Sequence, residues 1–160
     1  MRQGTDGPQK PDNRSTHHLG CDRLILELRQ FGIHAEPCVR TQGVDFFVTR
    51  HQSDKPGERL RIPILVRAAS KANFSVIRRH EKISNLILAY VWHLRSGNPA
   101  ETFAMTFDEA LSIAEEVGWT STGSWQRFGW YTNNEPGKRL RAKLTAFEST
   151  PDRWRLLTRN

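Results

Sequence analysis

With 160 residues, a formal net charge of +7, a sequence pI of about 10.0 and a mean hydropathy of −0.62, the chain fits one domain with a real core and favours polyanionic partners. Its longest apolar run, Leu86 to Trp92, falls far short of the roughly 20 residues that cross a bilayer, which argues against a membrane-spanning helix and a membrane partner. No apolar stretch follows the first charged residues, so no secretory signal is expected and the cytoplasm is the default address.

Residues 1–16 are rich in Pro, Gly, Asp, Asn and Ser and lack apolar periodicity. They are expected to form a disordered leader ahead of one domain over 17–160. From His17 the pattern changes. Cys21, Leu24, Ile25, Leu28 and Phe31 recur at spacings of three and four, one face of a helix, and Gly32 supplies a left-handed stop. His17 and His18, next to the leader, read as solvent-exposed. Cys21 and Cys38 lie outside any C-x-x-C or finger spacing and read as reduced, small core residues.

Ile33 to Arg40 reads as a strand, Thr41-Gln42-Gly43 as a turn, and Val44 to Val48 as a second strand carrying a single carboxylate, Asp45. After a polar loop at Gln52 to Gly57, Arg59 to Ala68 reads as a third strand, in which Pro63 hints at an edge or a bulge. Ala69 to Ser84 reads as a loop with a short helix carrying Arg78, Arg79 and His80. Leu86 to Leu94 is a central strand covered on both faces, and Glu101 to Met105 another short strand. Thr106-Phe-Asp-Glu109 has the capping-box spacing and opens a helix striped by Phe107, Ala110, Leu111, Ala114 and Val117.

Gly118 ends that helix. Residues 119–160 read as an aromatic loop, Trp119 to Tyr131, followed by a basic C-terminal helix that starts at Asn134-Glu-Pro136 and buries Leu140, Leu144 and Phe147, with Trp154 pinning the tail. From Arg127 to Asn160 eight basic residues face three acidic ones, so most of the net positive charge lies there. Trp125, Arg127 and Trp130 interleave aromatic rings with charge, and Lys138, Arg139, Arg141 and Lys143 follow on the helix. Rings and cations in such alternation grip single-stranded nucleic acid; the plain alternative is core and loop tryptophans beside a solvated basic face.

A helix, three strands, a helix and a strand, with Gly43-Val44-Asp45-Phe46-Phe47-Val48 in the second strand and Ile64-Leu65-Val66-Arg67-Ala68-Ala69-Ser70-Lys71 in the third, resembles the PD-(D/E)XK nuclease-like superfamily over about Leu19 to Trp92. The resemblance implies an α/β fold: a mixed central sheet of four to five strands flanked by helices, a restriction endonuclease-like core (α-β-β-β-α-β) with a C-terminal helical extension. It also implies magnesium held by carboxylates, with a lysine orienting the attacking water. Carried across, Asp45 matches the acidic element, Asp22 is the counterpart in the first helix, and Arg67 or a displaced Lys71 stands for the lysine. Glu27, five residues beyond Asp22, lies about 140° further round the helix.

The pattern departs from the family where Leu65 stands at the carboxylate or amide position and Arg67 at the lysine position. Leucine offers a hard cation no oxygen, and arginine does not lose its proton near neutral pH. The expectation is therefore a nucleic-acid-binding protein, DNA before RNA, on a nuclease-like fold with an incomplete metal site, a pseudoenzyme with no certain cofactor. Two alternatives stay open: a divergent magnesium-dependent endonuclease, and a regulatory subunit on a retired nuclease fold acting through a homodimer or protein partner. For Asp45 the structural alternatives are hydrogen bonds from the Gln42-Gly43 turn or a buried ion pair with Arg67.

Overall fold

The computed structural model describes residues 13–41, 43–51 and 59–159. The first helix, α1 (Asn13–Gln30), buries Leu24 and Leu28 and packs Cys21, Ile25 and Phe31 alongside them, the stripe expected from their spacing. It starts earlier than His17. Residues 13–16 are already helical and Thr16 is buried, so the expected leader does not include them; residues 1–12 lie outside the described residues. At the other end Gly32 has φ +75°; its N–H reaches the Arg29 carbonyl at 3.0 Å while the Ile33 N–H reaches that of Leu28 at 2.8 Å, satisfying two terminal carbonyls.

Five strands form one mixed sheet in the order β1 (Ala35–Thr41), β2 (Val44–His51), β3 (Arg59–Ala68), β5 (Ile87–Trp92), β6 (Glu101–Thr106), and only the β3–β5 pair is parallel. Pro63 stands opposite Phe47 and precedes the first β3–β5 pair, Ile64 with Ile87. On that side β3 is still an edge, so the missing N–H is tolerated although the strand is otherwise interior. Every residue of β5 is buried, as its unbroken apolar run requires.

The two sheet faces make two cores. Phe46, Val48, Ile62, Ile64, Val66, Ala89 and Val91 meet α1 and Trp154 on one face; Leu65, Leu88, Tyr90, Trp92 and Met105 meet Phe74, Trp119, Trp125 and Leu144 on the other. At Gly20 a Cβ would lie 2.4 Å from that of Ala68, so α1 can approach β3 this closely only without a side chain.

A parallel pair needs a crossover. Here the connection holds β4 (Phe74–Ile77) and a 3₁₀ turn over Arg78–Lys82, where the sequence suggested a loop and a short helix. β4 pairs with β7 (Trp130–Asn133) in a second, two-stranded sheet. The expected aromatic loop is therefore largely ordered: a 3₁₀ turn at Trp119–Ser121 and α3 (Gly123–Phe128) precede β7, because Trp119 and Trp125 are drawn into the core and fold the backbone around them.

The capping box opens α2 (Phe107–Glu116) as expected: the Glu109 N–H donates to Thr106 Oγ1 at 3.2 Å and the Thr106 N–H to Glu109 Oε2 at 2.8 Å. The expected long basic helix is two: α4 (Lys138–Leu144) begins after Gly137 rather than at Pro136, and α5 (Pro151–Leu157) follows a Thr150 cap. Trp154 is fully buried, and Arg153 reaches the Ala104 carbonyl and the Glu109 carboxylate, fastening α5 to β6 and α2. Among the described residues no helix is long and apolar enough to cross a membrane.

Candidate functional site

Asp45 sits where β2 leaves β3. The ladder begins at Phe46 opposite Ile64, so the Val66 N–H finds no strand partner there and donates instead to Asp45 Oδ2 at 2.7 Å. The other oxygen, Oδ1, lies 2.8 Å from His17 Nε2, and the Cys21 Sγ is 3.6 Å from the same nitrogen. One helical turn separates His17 from Cys21, which brings both to the face of α1 that looks at β2. The Asp45 side chain is 18% exposed and that of His17 39%. His17 is thus half-buried and engaged, contrary to its reading as a solvent-exposed neighbour of the leader.

The electrostatics follow from that contact. The hydrogen bond to Asp45 first, and that to Cys21 second, push the His17 imidazole up to about 10, overcoming the opposing effect of burial. At neutral pH the imidazole is therefore a cation facing Asp45.

Arg67 does not close an ion pair with Asp45, because the carboxylate is already held by His17 and Val66; Asp45 acts on it only through space. Burial works against the charge of Arg67; Tyr90 and Asp45 favour it and Arg79 opposes it. His80, buried in the crossover, is pushed down to about 4 by burial and then by Arg67 and Arg79. Tyr90 lies fully buried with its hydroxyl donating to the Ser75 carbonyl at 2.7 Å, and burial pushes that hydroxyl well above its ordinary range. A second cluster thus adjoins the first, made of two guanidiniums and a neutral imidazole.

The other sequence-predicted residues are dispersed. Asp22 is exposed and lines a depression with Leu19, Leu26 and Arg95, since the residue after Cys21 projects about 100° away from it on the helix. Lys71 is exposed beside Ala69, Asn73 and Asn134, past the end of β3. Trp125 is only 6% exposed, under the Arg78 guanidinium, so it is a core residue and not a stacking platform. Phe128 and Trp130 are the exposed rings of that region, stacked with centroids 6.2 Å apart, and Arg127 lies over Phe128.

On α4, Arg141 bonds both carboxylate oxygens of Glu101, Lys143 pairs with Glu116, and Arg139 donates to the Glu116 carbonyl at 3.3 Å. Of the four cations expected to hold nucleic acid there, Lys138 alone makes no such contact among the described residues. The basic helix is largely neutralised by acids that lie distant in sequence.

Magnesium requires oxygen ligands in near-octahedral array. Around Asp45 the facing β3 residue is buried Leu65, which offers no oxygen from its side chain, both Asp45 oxygens are engaged, and the neighbouring donors are an imidazole and a thiol. This donor set does not fit magnesium. His17 was discoverable from sequence: with Cys21, Leu24 and Leu28 it completes a four-three-four spacing, which places it on the buried face of α1. Comparison of the chain with protein-family models, with curated proteins and with solved structures finds no match.

Proposed function

We propose that this protein binds nucleic acid, DNA before RNA, on a nuclease-like scaffold whose magnesium chemistry has been lost. The observation that carries the reading is Arg67: a half-buried guanidinium at the third-strand position of the resemblance, beside Arg79 and, among the described residues, without a carboxylate in ion-pair contact. Burying a cation without a counter-charge is costly. A phosphodiester supplies the counter-charge and matches the paired N–H donors of a guanidinium. The net charge of +7 favours the same class of partner. Arg67, Arg79 and the exposed Arg127 and Trp130 are the contact residues in this reading, and Trp125 supports them from the core.

Fluorescence anisotropy with labelled single- and double-stranded oligonucleotides tests it. Affinity should fall steeply between about 50 and 200 mM salt. R67Q and R79Q should each weaken binding roughly tenfold, as expected for a charge-assisted contact, at unchanged melting temperature, whereas K143Q should change it little. Absence of binding at about 50 mM salt, or affinity indifferent to R67Q, overturns the reading. Magnesium-dependent cleavage abolished by D45A would replace it with an endonuclease, and a stable protein complex free of nucleic acid with a regulatory subunit.

A further inference from the structure

Three donors of different chemistry converge on one point at the junction of α1 and β2. His17 Nε2, Cys21 Sγ and an Asp45 carboxylate oxygen all lie within 4.8 Å of one another, and each of the three residues is half-buried. Cys21 is a free thiol. We propose that His17, Cys21 and Asp45 form a binding site for a zinc-class divalent transition metal, with the fourth position left to water.

Zinc takes imidazole, thiolate and carboxylate ligands at about 2.0–2.3 Å, and a tetrahedron of that size has edges of about 3.3–3.6 Å. The imidazole–sulfur separation of 3.6 Å already matches such an edge. The imidazole–carboxylate separation of 2.8 Å has to open by about half an ångström, within reach of a side-chain adjustment at His17. The rest of the frame is set. The contact of Gly20 with Ala68 holds α1 against β3 between the two helical ligands, and the Val66 N–H bonds the Asp45 oxygen that faces away from His17, an outer hydrogen bond of the kind that orients a metal-binding carboxylate. Binding displaces two protons to solvent, that of the Cys21 thiol as the sulfur becomes a ligand and that on His17 Nε2 as the imidazole turns from Asp45 to the metal.

Nitrogen and sulfur donors select zinc or cobalt over magnesium and calcium. The site therefore differs from the magnesium set of Asp45 and Asp22 that the resemblance implies. It also stands or falls independently of nucleic-acid binding.

Cobalt(II) titrated into the chelator-treated full-length protein, without nucleic acid, reads the site directly. One equivalent should give the intense visible bands of tetrahedral cobalt and a near-ultraviolet thiolate-to-cobalt band, displaced by zinc but not by excess magnesium. C21S should lose the thiolate band, H17Q and D45N should each weaken binding by at least about tenfold, and C38S should change nothing, with circular dichroism confirming that each variant is folded. In the wild-type protein zinc should protect Cys21 from alkylation, read by peptide mass spectrometry, which requires no variant. Absence of the thiolate band, its survival in C21S, its loss in folded C38S, or unprotected Cys21 at saturating zinc overturns the proposal.

Discussion

Asp45 accepts from two donors at once, and two substitutions separate them. Asn keeps an acceptor for the Val66 N–H but removes the charge facing His17; Ala removes both. We expect D45N to lose about 1 kcal/mol, discounted because His17 is partly exposed, and D45A about 2–3 kcal/mol because a backbone donor is left unpaired, both read by urea denaturation. Equal losses would mean that the charge facing His17 carries the whole effect and the backbone bond adds nothing. The two perturbed histidines act at opposite ends of the pH scale. His17 is raised to about 10 in the folded chain, so its contribution is complete below the ordinary value of 6.5 and is lost as pH rises toward 10. His80 is lowered to about 4, so the unfolded chain binds more protons below 6.5 and stability falls as pH drops from there toward 4. Urea midpoints against pH should thus decline on both sides of about 6.5; H17Q should flatten the alkaline side and H80N the acid side. An unchanged profile in either variant would refute that assignment.

At the scale of elements, the seating of α1 on β3 depends on the absence of a side chain at position 20. G20A places a methyl group 2.4 Å from the Ala68 Cβ, and the overpacking should lower stability by about 1–3 kcal/mol. The double variant G20A/A68G should recover most of that loss, as a thermal melt will show; no recovery would locate the strain elsewhere. α1, its Gly32 stop, the capping box of α2 and the buried β5 run were legible in the sequence because periodicity and cap chemistry are local. β4 and β7 were not. Each has four residues, and their pairing joins Phe74 to Asn133 across more than a third of the chain, a contact that no window of sequence contains. Asp45 was legible as a carboxylate in an apolar strand. Its partners were not, since they depend on where β2 parts from β3 and on which face of α1 turns inward. An ion pair with Arg67 was one of the alternatives, yet the Val66 N–H and His17, 28 residues before Asp45, hold those oxygens.

For the molecule as a whole, α5 closes the core that α1 opens. Trp154 lies fully buried against the cluster of Leu24, Leu28 and Val91, and its indole N–H donates to Ser149 Oγ at 2.7 Å. W154A should cost about 3–5 kcal/mol in the urea-derived stability, and W154F clearly less; near-neutral W154A would show that α5 is dispensable for the core. Charge is also distributed at this scale. The positive excess of residues 127–160 is partly cancelled through space by Glu101, Glu109 and Glu116, so the formal charge overstates the basic surface there. The Gly20 contact has a last consequence, one for descent. In any lineage that keeps this packing, positions 20 and 68 share a single allowance of volume and must change in concert, so a replacement of Ala68 by glycine would be the step that first allows a side chain to enter between His17 and Cys21.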